Sequence, residues 1–144
     1  MKVITLWQPW ATFIMLGWKT IETRTHDRFK NLIGETIGIH AGNAFDRDWE
    51  ELAGEYLSGH QLTTIKCNFD FFNEARGKII CTTKVEKTEW LYTRSSKRAL
   101  INCDPKENGF YRFGLFLENI KKIKPIAAKG KQGIWNYDGE IVYL

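Results

Sequence analysis

The sequence predicts an α+β, β-rich domain: a mixed β-barrel with two or three peripheral helices. Three observations carry that prediction. Apolar residues alternate with period two in several short runs, as at Ile37 and Ile39 and again at Ile79, Cys81, Thr83 and Val85, the mark of strands with one buried face. Only two stretches repeat at helical spacing, one after Pro9 and one at Trp49, Leu52, Ala53 and Tyr56. The helices come early and do not alternate with strands, which disfavours a doubly wound parallel sheet and fits a small barrel or strongly curled sheet. The 144 residues suit one domain spanning 1–144, and 43% hydrophobic content supports a packed core without disulfides or metals.

The elements follow in order. Residues 3–6 read as a strand. Pro9 then opens a helix, where its missing amide costs nothing. Trp10, Phe13 and Ile14 line the apolar face of that helix, and Gly17 stops it. Residues 19–25 alternate and contain Thr and Ile, so they read as a strand; 26–31 are polar and read as a loop. Residues 35–41 form the next strand, with Ile37 and Ile39 on one face and His40 on the other. A helix is expected over 46–57, ended by Ser58-Gly59-His60. Residues 61–76 show no clear period. The longest strand is expected over 77–91. Residues 93–109 read as a long loop with a helical turn near 96–100, and loops of that length in a compact domain are often functional. Residues 111–123 form one strand, or two joined by a bend at Glu118-Asn119. Pro125 and Gly130 are expected to break the chain, and Trp135 with 141–144 closes it.

Charge is unevenly distributed. Residues 1–72 hold 7 basic and 9 acidic groups, whereas 73–144 hold 14 basic and 8 acidic groups. Lys121, Lys122, Lys124, Lys129 and Lys131 crowd one stretch of the basic half. Clustered cations can displace counterions from phosphates, or simply form a solvated face. The cysteines, Cys67, Cys81 and Cys103, are too far apart for zinc-ligand spacing, so no metal and no cofactor is expected. Reduced thiols, no apolar run of membrane-spanning length and a strand starting right after Met1 predict a cytoplasmic protein without a membrane contact. A monomer is the favoured state.

Two segments near the start carry a resemblance. Leu6-Trp7-Gln8-Pro9-Trp10-Ala11 precedes Gly17-Trp18-Lys19-Thr20-Ile21-Glu22-Thr23-Arg24, the second half being a G-x-K-x-x-E-x-R pattern. Ile37-Gly38-Ile39-His40-Ala41-Gly42 follows, and Pro125-Ile126-Ala127-Ala128-Lys129-Gly130-Lys131-Gln132-Gly133-Ile134-Trp135 lies near the end. Together these anchors resemble the ASCH (activating signal cointegrator homology) domain family of the PUA-like superfamily. Residues 58–76 and 93–109 have no counterpart. The resemblance implies a PUA-like barrel with a cleft between barrel and N-terminal helix, lined by the G-x-K-x-x-E-x-R strand. It also implies RNA or nucleotide binding, with hydrolysis in some members.

The residues themselves are compatible with that reading. On a strand, Glu22 and Arg24 share one face while Ile21 takes the core side, and the turn at Gly17 can bring Lys19 to the same face. A carboxylate between two cations is either an ion-pair network that fixes the strand or a recognition set, with Lys and Arg for phosphate and Glu for a base amino group. Trp18 is the stacking candidate, because it falls off the helical stripe that holds Trp10. Gln8 either reads a base edge or caps a turn. His40 is either a hydrogen-bonded structural residue or part of the cleft floor. Lys129, Lys131 and Gln132 are candidates to clamp a backbone phosphate.

Three functions compete. The first is capture of a single-stranded RNA segment or a modified nucleotide, with DNA as a less favoured partner. The second is a metal-independent hydrolase using Lys19 and Glu22, of the N4-acylcytidine amidohydrolase type or a ribonuclease. The resemblance weakens that reading, because the amidohydrolase members carry Thr where this chain has Glu22, and strand alternation turns Thr23 away from it. The third is a protein-interaction domain whose exposed aromatics form an interface.

Overall fold

The computed structural model describes all of residues 1–144. In chain order the elements are β1 (Lys2–Gln8), α1 (Trp10–Met15), β2 (Ile21–Arg24), β3 (Thr36–Phe45), α2 (Trp49–Ala53), α3 (Gly59–Cys67), α4 (Phe69–Glu74), β4 (Lys78–Trp90), α5 (Ser96–Ala99), α6 (Pro105–Asn108), β5 (Phe113–Ala127) and β6 (Ile134–Asn136). Short 3-10 turns sit at Lys30–Leu32 and Thr93–Ser95.

The strands form one sheet in the order β2-β5-β4-β3-β1-β6. β1 and β3 run parallel, with α1 and β2 in the connection between them, and every other pairing is antiparallel. The sheet curls into a half-barrel with β2 and β6 at its edges. Bulges drive the curl, since an extra residue bends a strand and sharpens its twist. Register shifts occur in β1–β3 and β3–β4, and at three places between β4 and β5.

The bend anticipated at Glu118-Asn119 is one of these: Asn119 adopts φ 51 within a continuous β5. Pro125 does not end the strand as expected. It falls where the register slips between Lys122 and Ile126, so no ladder amide is demanded of it.

One core cluster lies against the sheet, with Ile4, Ile37, Ile39, Val85 and Leu115 covered by Ala11 and Ile14 of α1. Phe13 turns the other way. It packs with Trp49, Ala53, Ile65 and Phe72 of α2, α3 and α4 in a second cluster. Six α-helices surround the sheet rather than two or three. The helix expected over 46–57 is confined to Trp49–Ala53, and Ser58 does not end it. Ser58 instead starts α3: its hydroxyl accepts from the Gln61 amide (3.0 Å) while the Gln61 side chain accepts from the Ser58 amide (2.8 Å).

Candidate functional site

Residues distant in sequence converge on one cleft of about 1200 Å³, bordered by β1, β2, β3 and the connection from β5 to β6. Its floor comes from the G-x-K-x-x-E-x-R segment. Gly17 takes φ +77, a left-handed conformation that a side chain would strain, and so turns the chain out of α1. The amides of Trp18 and Lys19 then both donate to the Phe13 carbonyl. Lys19 is thereby directed inward. Its side chain is 2% exposed, its Nζ donates to the Ala99 carbonyl, and it lies 5.4 Å from the centre of the Trp10 ring.

Glu22 sits between two cations. Its Oε1 is 3.8 Å from Lys19 Nζ and its Oε2 is 3.5 Å from an Arg24 terminal nitrogen. Ile21 is fully buried on the opposite face, as alternation requires. The Arg24 guanidinium packs over Phe29 at 4.7 Å, and its Nε is buried without a hydrogen-bond partner. Burial holds the Lys19 pKa below its ordinary value, with the Glu22 carboxylate pulling less strongly the other way.

His40 lies on the wall, 1% exposed. Its Nε2 donates to the Ala128 carbonyl at 2.7 Å, and Nδ1 is buried with no partner. The ring also meets Trp135 edge to face at 5.5 Å, while the Trp135 indole donates to Thr5 Oγ1 at 3.0 Å. These contacts tether the chain at Ala128 and so place Lys129, Lys131 and Gln132 along the rim, all three exposed.

Two expected site residues are elsewhere. Gln8 is 0% exposed: its amide donates to the Phe72 carbonyl at 2.9 Å and its Oε1 accepts from the Thr12 amide at 3.1 Å. It ties α4 to α1, and no base edge can reach it. Trp18 does not face the cleft either. It packs on Phe13 at 5.7 Å and borders a separate hollow, because the turn at Gly17 lays its ring back along α1 while Lys19 is directed inward.

The indoles that do border the cleft are those of Trp7 and Trp10, with Phe29 under Arg24. Trp10 donates its indole N–H to Asp46 at 3.0 Å, and Trp7 is 60% exposed. Alternation in β1 could have revealed Trp7, since Leu6 and Gln8 point inward on either side of it. Arg28 and His26 join the lining from the loop after β2, and Thr23 also borders it. Around the cleft, Lys19, Arg24, Arg28, Lys129 and Lys131 face only Glu22 and Asp46.

No protein-family model and no curated protein matches the sequence. Among solved structures, the ASCH protein of Zymomonas mobilis is similar at 16% identity and a TM-score of 0.59, over 95% of this chain and 87% of that one. A serine-to-alanine variant of the same protein gives 15% identity and a TM-score of 0.55 over the same shares. At such identity the likeness shows the fold, which is of the ASCH type.

Proposed function

We propose that a chain with this ASCH-type fold uses its cleft to bind RNA, as a single-stranded segment or a modified nucleotide. One observation carries the reading. Five cations from the turn before β2, β2 itself, the following loop and the β5–β6 connection converge on a cleft with two carboxylates, beside the indoles of Trp7 and Trp10. Cations neutralise phosphates and release their counterions, while indoles offer stacking surfaces to bases. Glu22, held by Lys19 and Arg24, is the group that would accept a base amino hydrogen.

The test is affinity for a short single-stranded RNA as salt is raised. Binding should weaken about tenfold or more between about 50 and 200 mM salt, as several engaged phosphates require. The exposed pair Lys129→Glu and Lys131→Glu should weaken it further without changing the melting temperature. Lys19→Ala and Glu22→Gln are poorer probes, because both side chains are nearly fully buried: the first opens a hole at the cleft floor and leaves Glu22 to Arg24 alone, and the second leaves the buried Lys19 charge without its carboxylate. Absence of binding at low salt would refute the proposal. Salt-independent binding would point to a neutral nucleoside or a protein partner.

A second reading, hydrolysis, rests on Lys19 alone: a buried amine with a lowered pKa at a cleft floor is suited to proton transfer. The Thr20 hydroxyl is not available to it, since it accepts from Arg98 Nε at 3.0 Å on the other side of the segment. Turnover of an N4-acylcytidine or RNA that disappears in Lys19→Arg while binding persists would favour this reading. Turnover unchanged in Lys19→Arg would remove it.

A further inference from the structure

A second concave site lies behind the first. Trp18, Thr20, Tyr56, Gln61, Arg94, Lys97 and Arg98 border a hollow of about 520 Å³, within the range of small-ligand pockets. The chain alternates between the two sites: Trp18 and Thr20 border the hollow, Lys19 and Glu22 the cleft.

Three features point to a ligand. First, the hollow has three cations and no carboxylate in its lining, and none of Arg94, Lys97 and Arg98 pairs with a carboxylate anywhere in the molecule. Second, Arg98 is held in place. Its carbonyl accepts from the Thr20 amide at 2.9 Å, its Nε donates to Thr20 Oγ1 at 3.0 Å, and its guanidinium lies 5.1 Å from the Phe116 ring. The two terminal nitrogens have no protein acceptor, so a planar fork is fixed beside the hollow, the arrangement that suits bidentate contact with a phosphate. Third, the wall facing those cations is aromatic, with the half-buried Trp18 indole braced by Phe13.

We propose that this hollow is a nucleotide-binding site distinct from the cleft, with the phosphate between Arg98, Lys97 and Arg94 and the base against Trp18. A bare anion would make no use of the indole, and a neutral base would make none of the cations. The nucleotide is either a free nucleoside monophosphate or one unit of an RNA strand. Arg94 links the hollow to further aromatic surface: its guanidinium lies 5.5 Å from the Tyr92 ring, which meets Tyr111 edge to face at 5.7 Å. A longer strand could therefore continue over Tyr92, which is 47% exposed.

The full chain is titrated with AMP, adenosine, inorganic phosphate and a hexanucleotide RNA, by calorimetry and by amide and indole NMR shifts. AMP should bind about tenfold or more tightly than adenosine or phosphate, a difference of about 1.4 kcal/mol, and should shift Gly17, the Trp18 indole and Arg98. The double variant Arg94→Glu, Lys97→Glu should abolish those shifts; both residues are exposed, so folding is retained. Lys129→Glu with Lys131→Glu should leave them intact, which separates this site from the cleft. A hexanucleotide that loses affinity in Tyr92→Ala while AMP does not identifies an RNA strand; equal affinity for AMP and the hexanucleotide identifies the free nucleotide. Equal binding of AMP and adenosine, shifts confined to the cleft, or no shifts at millimolar AMP would overturn the proposal. Displacement of AMP by a polyglutamate peptide of matched charge would overturn it too, by assigning the hollow to an acidic protein segment.

Discussion

His40 and Gly130 show how little room the cleft wall has. A Cβ on Gly130 would lie 2.7 Å from His40 Cε1 and 2.9 Å from Nδ1, closer than real side chains approach. Gly130→Ala must therefore move the ring or the loop that carries Lys129 and Lys131. A loss of about 1–3 kcal/mol of stability is expected, the scale of overpacking, together with weaker RNA binding, read by thermal melting and anisotropy. Gln8→Ala should behave differently. It strips partners from the buried Thr12 amide and Phe72 carbonyl, so stability should fall by about 1–3 kcal/mol while ligand affinity stays unchanged. Lys19 gives a pH signature. Burial lowers its pKa, so between that lowered value and 10.5 the unfolded chain binds more protons than the folded one. Stability then rises with pH across that window, and below it the burial penalty is constant. Relative to Lys19→Met, the wild type should gain stability as denaturant melts are repeated toward pH 10.5.

At the scale of elements, α3 depends on its start. Its only buried side chain is Ile65, so the helix has little tertiary support along its length. The reciprocal pair of Ser58 and Gln61 satisfies amides that its first turn would leave open. Ser58→Ala should cost about 0.5–2 kcal/mol and fray α3, measurable as a lower melting temperature and faster amide exchange in 59–67. The capping signature is present in the sequence, but the periodic stripe at Trp49, Leu52, Ala53 and Tyr56 makes Ser58-Gly59-His60 look like the end of a helix rather than the start of one. That stripe is real over only one turn and a half. Beyond Ala53, Leu57 is buried against Phe13 and its neighbours without needing helical backbone.

Over the whole molecule, the three thiols divide by environment. Cys67 is exposed on α3, whereas Cys81 and Cys103 are buried. Burial pushes the Cys81 thiol up to about 12 and raises Cys103 as well. The thiolate is the reactive form, so at about pH 8 a disulfide reagent should modify Cys67 alone in the folded protein. All three should react in denaturant. Fast reaction of a second thiol under native conditions would mean that β4 or the segment holding Cys103 opens readily.

What the sequence determined by itself was local and periodic. Strand alternation put Ile21 inward with Glu22 and Arg24 outward, Gly17 marked the turn that frees Lys19, and the basic segment at Lys129 and Lys131 was visible as charge. These follow from backbone geometry within a few residues. Tertiary structure alone decided which aromatic borders which site. Trp10 and Trp18 differ in helical period, yet the period ends at Met15, and Trp18 lies in the bend after Gly17, where sides are assigned by what packs there: Phe13 with Trp18, Ala99 and Trp10 with Lys19, Arg98 with Thr20. Gln8 has two readings in the sequence, a base edge or a turn cap, and α4, from a segment without readable period, removes the first by closing over it at Phe72. Pairings across such separations rest on chain closure and shared core, which no local pattern encodes.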